Sequence, residues 1–351
     1  MSPRLLPVVV ATALLFSACT ASDLAKSASR SSADSLSAAA ADSVTAWNTP
    51  WTDPSPHTAA FVDVGNGVRL HYLDWGGSGD TILLLTGYGL SAHIYDGLGP
   101  QLTDHFHVVA LTRRGHGESD HPDGGYGIET AVEDIRHLLD HLGVAKAVLV
   151  GHSHGGWEIS RFAARYPERT LKLVYLDGTL DPTTYDGMAD HEPIQRPTPD
   201  FSTPASARAW YTRYFYGLWT PALEADLRHH TVDGSKWDQS NDDWVHKPAD
   251  YAKIQAPALA IYEIATIHSR YFWLDPVSDH DRLVQAKDYL KKWFNPWQQA
   301  GVDEFVKHIP NGHAVRLAGH HYIFITNQAE VLAEMRSFLL PPILQLDGRA
   351  S

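Results

Sequence analysis

The sequence predicts an α/β protein: a mostly parallel sheet with helices on both faces. Three observations carry this reading. Short continuous apolar runs recur, T-I-L-L-L-T at 81–86, H-V-V-A-L-T at 107–112 and L-K-L-V-Y-L at 171–176. Runs of helical spacing separate them, as at 128–142, where Ala131, Ile135, Leu138, Leu139 and Leu142 share a face. The composition, 44% hydrophobic and 20% charged, is that of a folded globular chain. A parallel strand buried on both sides has no polar face, so its apolar run is continuous rather than alternating.

The first 46 residues lie outside this pattern. Arg4 precedes an apolar run at 5–16 and then Ser17-Ala18-Cys19. A basic start, a short apolar stretch and small residues describe a secretory signal peptide at 1–19. The run is shorter than the about 20 apolar residues a spanning helix needs, and Pro3 and Pro7 argue against a buried core helix. Residues 15–19 resemble a bacterial lipobox, with Phe16 departing from the usual aliphatic residue. A lipid-tethered or secreted protein is therefore expected, with Cys19 as the anchor. Cys19 is the sole cysteine, so no intrachain disulfide forms. Residues 20–46, mostly Ser, Ala and Asp, read as a flexible tether that cannot bury a core.

From residue 47 the strand–helix rhythm begins. Residues 68–75 alternate as a strand, and the runs at 81–86 and 107–112 follow. Next come a strand at 147–150, a helix at 155–166 stopped by Pro167, and the strand at 171–176. Strands at 258–262 and 314–317 and a closing helix at 329–340 complete the pattern. The core is thus expected at 47–179 and 251–341. Residues 180–250 break the rhythm and are rich in Pro, Trp and Tyr, including Trp210, Tyr211, Tyr214 and Trp219. A loop of that length is uncommon, so a helical lid is expected there, with one or two of its rings lining an apolar pocket. A net charge of -13 argues against nucleic acid, which needs a basic face. Among the 21 histidines, His105, His107, His116 and His121 lie close together without a ligand spacing. They are expected on the surface or in loops, and neither a metal nor a cofactor is expected.

Active sites in such sheets lie at the carboxyl ends of strands. There, Gly151-His152-Ser153-His154-Gly155-Gly156 forms a G-x-S-x-G turn between a strand and a helix. The bend is sharp, its flanking glycines avoid clashes, and Ser153 is the candidate nucleophile. His152 and His154 fill the two variable positions. From about residue 60 to 340 the chain resembles the α/β-hydrolase superfamily, in particular its lid-bearing esterase, epoxide-hydrolase and haloalkane-dehalogenase-like branch. Arg114-Gly115-His116-Gly117-Glu118-Ser119 is similar to the R-G-x-G-x-S turn of that branch. The resemblance implies an eight-stranded sheet and the chain order Ser, acid, His. It also implies Asp at the elbow for epoxide or dehalogenase chemistry, where this chain has Ser153.

A serine hydroxyl needs a base to take its proton. After the last strand the sequence offers His320 and His321. The family register, with an aromatic residue straight after the histidine, favours His321; the Gly-His pair favours His320. The acid that holds the imidazole is Asp177 if it sits at the end of the sixth strand, or Glu263 if it follows the seventh, with Asp181 third; Asp177 is favoured. The resemblance assigns the oxyanion donors to the backbone N–H groups of His154 and Tyr88, with Thr86 standing where the family usually has His. The leading expectation is a cofactor-free hydrolase of carboxylic esters, or of related lactones or amides, acting on a small molecule. The alternatives are a ligand-binding protein on the same fold and a perhydrolase or lyase using the same site.

Overall fold

Eight strands form one sheet in the order β1-β2-β4-β3-β5-β6-β7-β8. They are β1 (Thr58–Asp63), β2 (Arg69–Gly76), β3 (Thr81–Leu85), β4 (His107–Leu111), β5 (Ala147–His152), β6 (Thr170–Leu176), β7 (Ala258–Ala265) and β8 (Gly312–Gly319). The β1–β2 and β2–β4 pairs are antiparallel and all others parallel. This computed structural model describes residues 50–178, 190–200, 203–229, 251–309 and 311–340. The expected signal peptide, tether and Cys19 lie outside the described residues, as do Asp181 and much of 180–250.

All five β3 residues are buried, yet the two-residue alternation still sorts them. Ile82 and Leu84 enter one core with Val108, Ala110, Val148 and Val174. Leu83 and Leu85 enter a second core with Val109, Leu111, Leu149 and Leu173. Helices α1 (Ile128–His141) and α2 (His154–Arg165) cover the second core through Val132, Ile135, Leu138, Ile159 and Phe162. The closing helix Gln328–Leu339 covers the first through Val331, Met335 and Leu339. Each fully buried side chain of this size contributes about 1.5–3 kcal/mol relative to exposure.

Between β6 and β7 stand helices α3 (Pro204–Tyr214) and α4 (Pro221–Arg228). Each starts with a threonine whose hydroxyl caps a backbone N–H, Thr203 for Ser206 and Thr220 for Leu223, followed by a proline that has no N–H to lose. Tyr211, Tyr214 and Leu223 join the first core. Asp226 accepts from the backbone N–H and hydroxyl of Ser91 at 2.8 and 2.7 Å, which fixes α4 against the turn after β3.

Three features add to the sequence reading. β1 is an edge strand with mostly exposed residues, so its T-A-A-F-V-D carries no apolar run to read. Helices α5 (His280–Tyr289) and α6 (Asn295–His308) stand between β7 and β8, where core was expected. A π turn at Leu290–Phe294 joins them. Pro296 lacks an N–H and crowds the carbonyl four residues back, so the turn widens there and the Asn295 N–H reaches Leu290 O. Finally, His116, expected on the surface or in a loop, lies in the loop after β4 and is buried there.

Candidate active site

β5 runs straight into α2 through Ser153, which holds φ 50° and ψ −116°. A side chain at 151 would press within 2.4 Å of the Gly155 carbonyl oxygen, and one at 155 within 2.5 Å of that of Leu85. Only glycine fits at either position, and the backbone can then turn this tightly. Ser153 is the N-cap of α2, a position where serine usually accepts a backbone N–H of its own helix. Here its side chain makes no such bond. Its backbone N–H donates instead to Leu176 O on β6 at 3.3 Å.

One residue beyond Leu176, Asp177 adopts φ 49°, a conformation Asp tolerates better than most side chains. Its backbone N–H donates to Ile261 O at 2.8 Å, and its Oδ1 accepts from the Glu263 N–H at 3.0 Å. That leaves Oδ2, which lies 2.5 Å from His321 Nδ1. Asp177 is buried and His321 is mostly so.

The adjacent histidine is committed elsewhere. His320 Nδ1 accepts from the Tyr322 N–H at 3.1 Å, and its ring stands edge-on to Tyr214 with centroids 4.1 Å apart. Burial holds its pKa well below the usual imidazole range. Glu263 points into β7's surroundings, where Gln298 Nε2 donates to its Oε1 at 3.2 Å. Burial, reinforced by the charge of Asp177, pushes its pKa well above the usual carboxylate range. The structure thus brings His321 to Asp177, and not His320 or Glu263. His313 lies at the opposite, N-terminal end of β8.

The loop after β3 lies against the elbow: a Cβ at residue 87 would sit 3.2 Å from Ser153 Cβ. Tyr88 follows, partly buried, with its ring centroid 6.0 Å from that of His154. His154 is the first residue of α2, directly after Ser153.

Two residues missed by sequence reasoning hold these parts in place. The buried Arg113 guanidinium donates to Glu158 on α2 at 2.6 and 2.8 Å, to Thr86 O at 2.8 Å and to Gly87 O at 3.3 Å. It joins the β3 loop to the helix behind Ser153. A charged residue directly after a continuous apolar strand was the available signal. His152 Nε2 donates to the carbonyl of His321 at 3.1 Å, and burial keeps this imidazole neutral. Nothing in the sequence marks that contact. The R-G-x-G-x-S segment is structural: Arg114 forms a buried two-pronged pair with Asp134, both contacts at 2.6 Å, and Ser119 Oγ donates to Thr112 O.

Residues 80–218 match a family described as alpha/beta hydrolase fold. A mouse (Mus musculus) protein named epoxide hydrolase 4 is 35% identical over 130 residues, 36% of this chain and 36% of that protein. A bifunctional esterase/perhydrolase of Acinetobacter calcoaceticus is 34% identical over 124 residues, 35% of this chain and 45% of that protein. The chain therefore matches less than half the length of either relative. The crystal structure of a Bacillus megaterium epoxide hydrolase superposes with a TM-score of 0.59 at 22% identity, covering 80% of this chain and 99% of that one. At that identity the superposition speaks for the fold alone.

Proposed function

The chain belongs to the α/β-hydrolase superfamily, and from that premise we propose that it is a serine hydrolase of carboxylic esters. In this reading Ser153 Oγ attacks the acyl carbonyl while its proton passes to His321 Nε2. Asp177 holds the imidazole through Nδ1 and stabilises the imidazolium. The oxyanion accepts from the N–H groups of Tyr88 and His154. The alcohol leaves with the proton from His321, and water then hydrolyses the acyl-enzyme by the same steps in reverse. The observation that carries the reading is the 2.5 Å pairing of His321 Nδ1 with Asp177 Oδ2, which leaves the other ring nitrogen for proton transfer.

Helices α3 and α4 serve as the lid, and the aromatic character of that insertion favours an apolar acyl or alcohol group. Residues 1–19 export the chain, and a lipid on Cys19 tethers it to the cell envelope. The esterase/perhydrolase relative supports a second use of the same acyl-enzyme, in which hydrogen peroxide replaces water and a peracid leaves. A fluorophosphonate probe tests the reading: it labels the full chain at Ser153 and spares Ser153→Ala, and a panel of esters, lactones and amides ranks esters first. A chain that neither reacts with the probe nor turns over any ester is a binding protein instead.

A further inference from the structure

Four separate segments bring a second set of imidazoles and a carboxylate together. His71 comes from β2, His93 from the turn after β3, Glu118 from the loop after β4, and His229 from the residue just past α4. Glu118 Oε2 lies 3.2 Å from His71 Nε2, 3.7 Å from His93 Nε2 and 3.5 Å from His229 Nδ1. Donors around a tetrahedral zinc, each bound at about 2.0–2.1 Å, stand about 3.3 Å apart. The three distances to Glu118 fall near that spacing, and the donor atoms of His71, His93 and Glu118 all lie within 4.8 Å of one another.

The far nitrogens of two of these rings have partners that orient them. His71 Nδ1 lies 3.0 Å from Thr112 Oγ1. His93 Nδ1 lies 3.1 Å from Asp96 Oδ2 and 3.2 Å from Asp53 Oδ2. Asp96 is itself anchored, its Oδ1 accepting from Ser55 Oγ at 2.6 Å and from Trp75 Nε1 at 3.2 Å. A carboxylate behind a histidine, fixing its tautomer and aiming its other nitrogen, is how proteins hold metal-ligating imidazoles. His71 is 1% exposed and its Nε2 has no hydrogen-bond partner, since the approach to Glu118 lacks hydrogen-bond geometry. A buried polar atom left without a partner is costly, and a cation between the two would satisfy both.

We propose that His71 Nε2, His93 Nε2, His229 Nδ1 and Glu118 Oε2 bind one divalent transition-metal ion, with zinc the best fit. Three imidazoles and one carboxylate are a borderline donor set that suits zinc, whereas calcium and magnesium take oxygen ligands. His229 stacks on His93 with centroids 4.3 Å apart, so closing the shell takes a turn of the His229 ring about its side-chain bonds. The role is structural. The ion ties β2 and the loops after β3 and β4 to the end of α4, the helix whose Asp226 already binds Ser91.

The test uses the untagged full chain, stripped with EDTA and titrated with zinc chloride by calorimetry, with thermal midpoints measured with and without zinc. Wild type is expected to take up one zinc per chain and to melt higher when loaded. Glu118→Gln and His229→Ala, at the two more exposed positions, are expected to keep the metal-free midpoint and to lose zinc affinity by at least about 10–100-fold. A wild-type chain that takes up no zinc overturns the proposal, as does a Glu118→Gln/His229→Ala double variant that binds as tightly as wild type. None of these readouts depends on hydrolysis.

Discussion

The Asp177–His321 pair and the Glu118 cluster both set imidazole against carboxylate at the ends of strands, and their construction differs in one respect. At Asp177 a single imidazole meets a single carboxylate through Nδ1, while the other carboxylate oxygen is occupied by the Glu263 N–H. At Glu118 one oxygen is ringed by three imidazoles, and His93 meets two further carboxylates on its other side. A lone pair of groups leaves one nitrogen able to take and return a proton. An oxygen ringed by nitrogens is suited to holding a cation still. In the two proposals, the same residue types serve transfer in one place and fixation in the other, according to how many partners each has.

The comparison breaks first at Ser153 and His321. Alanine at either position is expected to lower kcat for ester hydrolysis by about 10⁴-fold or more, with the melting temperature kept; a residual rate near wild type would remove the transfer role from this pair. Asp177→Asn is expected to cost about 10⁴-fold, because the amide favours the wrong tautomer. Glu263→Gln should stay within about 10-fold, because Glu263 meets Gln298 while His321 Nδ1 meets Asp177. The opposite ranking would move the acid to β7. Arg113→Lys keeps the charge and loses the planar fork. A fall of about 10²-fold in kcat with KM little changed is expected, comparable to losing part of an oxyanion hole; a change confined to thermal stability would make Arg113 a packing residue only.

The smallest effect concerns the fixed side. Burial pushes Asp226 from 3.8 up to about 6, against the pull of its Ser91 hydrogen bonds. Between those two pH values the folded chain keeps a proton that the unfolded chain has released. Stability therefore falls as pH rises through that window and stays lower above it. Asp226→Asn retains the acceptor without the charge, so it should be more stable than wild type at pH 7, by up to about 3 kcal/mol in denaturant unfolding, and no more stable at pH 4. Equal gains at both pH values would show that ionisation is not the cause.

The parallel strands and the Ser153 elbow were legible because their signals are local: a continuous apolar run, and glycines at fixed offsets from a serine. Asp177 and His321 needed the family's chain order as well, and the sequence alone left His320 and Glu263 open. What separates them is tertiary. His320 spends its Nδ1 on the Tyr322 N–H, and Glu263 meets Gln298, contacts that no spacing reports. β1 was missed because an edge strand buries little, and α5 and α6 because a proline and a π turn interrupt their periodicity. The Glu118 cluster draws on positions 71, 93, 118 and 229, too scattered for any ligand motif. Its neighbour His116 lies in a loop, as expected, but is buried.

Arg113 grips the Thr86 and Gly87 carbonyls with the same planar group that holds Glu158 behind the elbow. In the proposed mechanism this grip holds the loop carrying the Tyr88 amide against the helix carrying the His154 amide, whatever covers the site. Sequence change in the α3–α4 insertion can then retune which acyl groups enter while the chemistry beneath stays untouched. A division of labour of this kind lets one scaffold diversify its substrates without rebuilding its reaction centre.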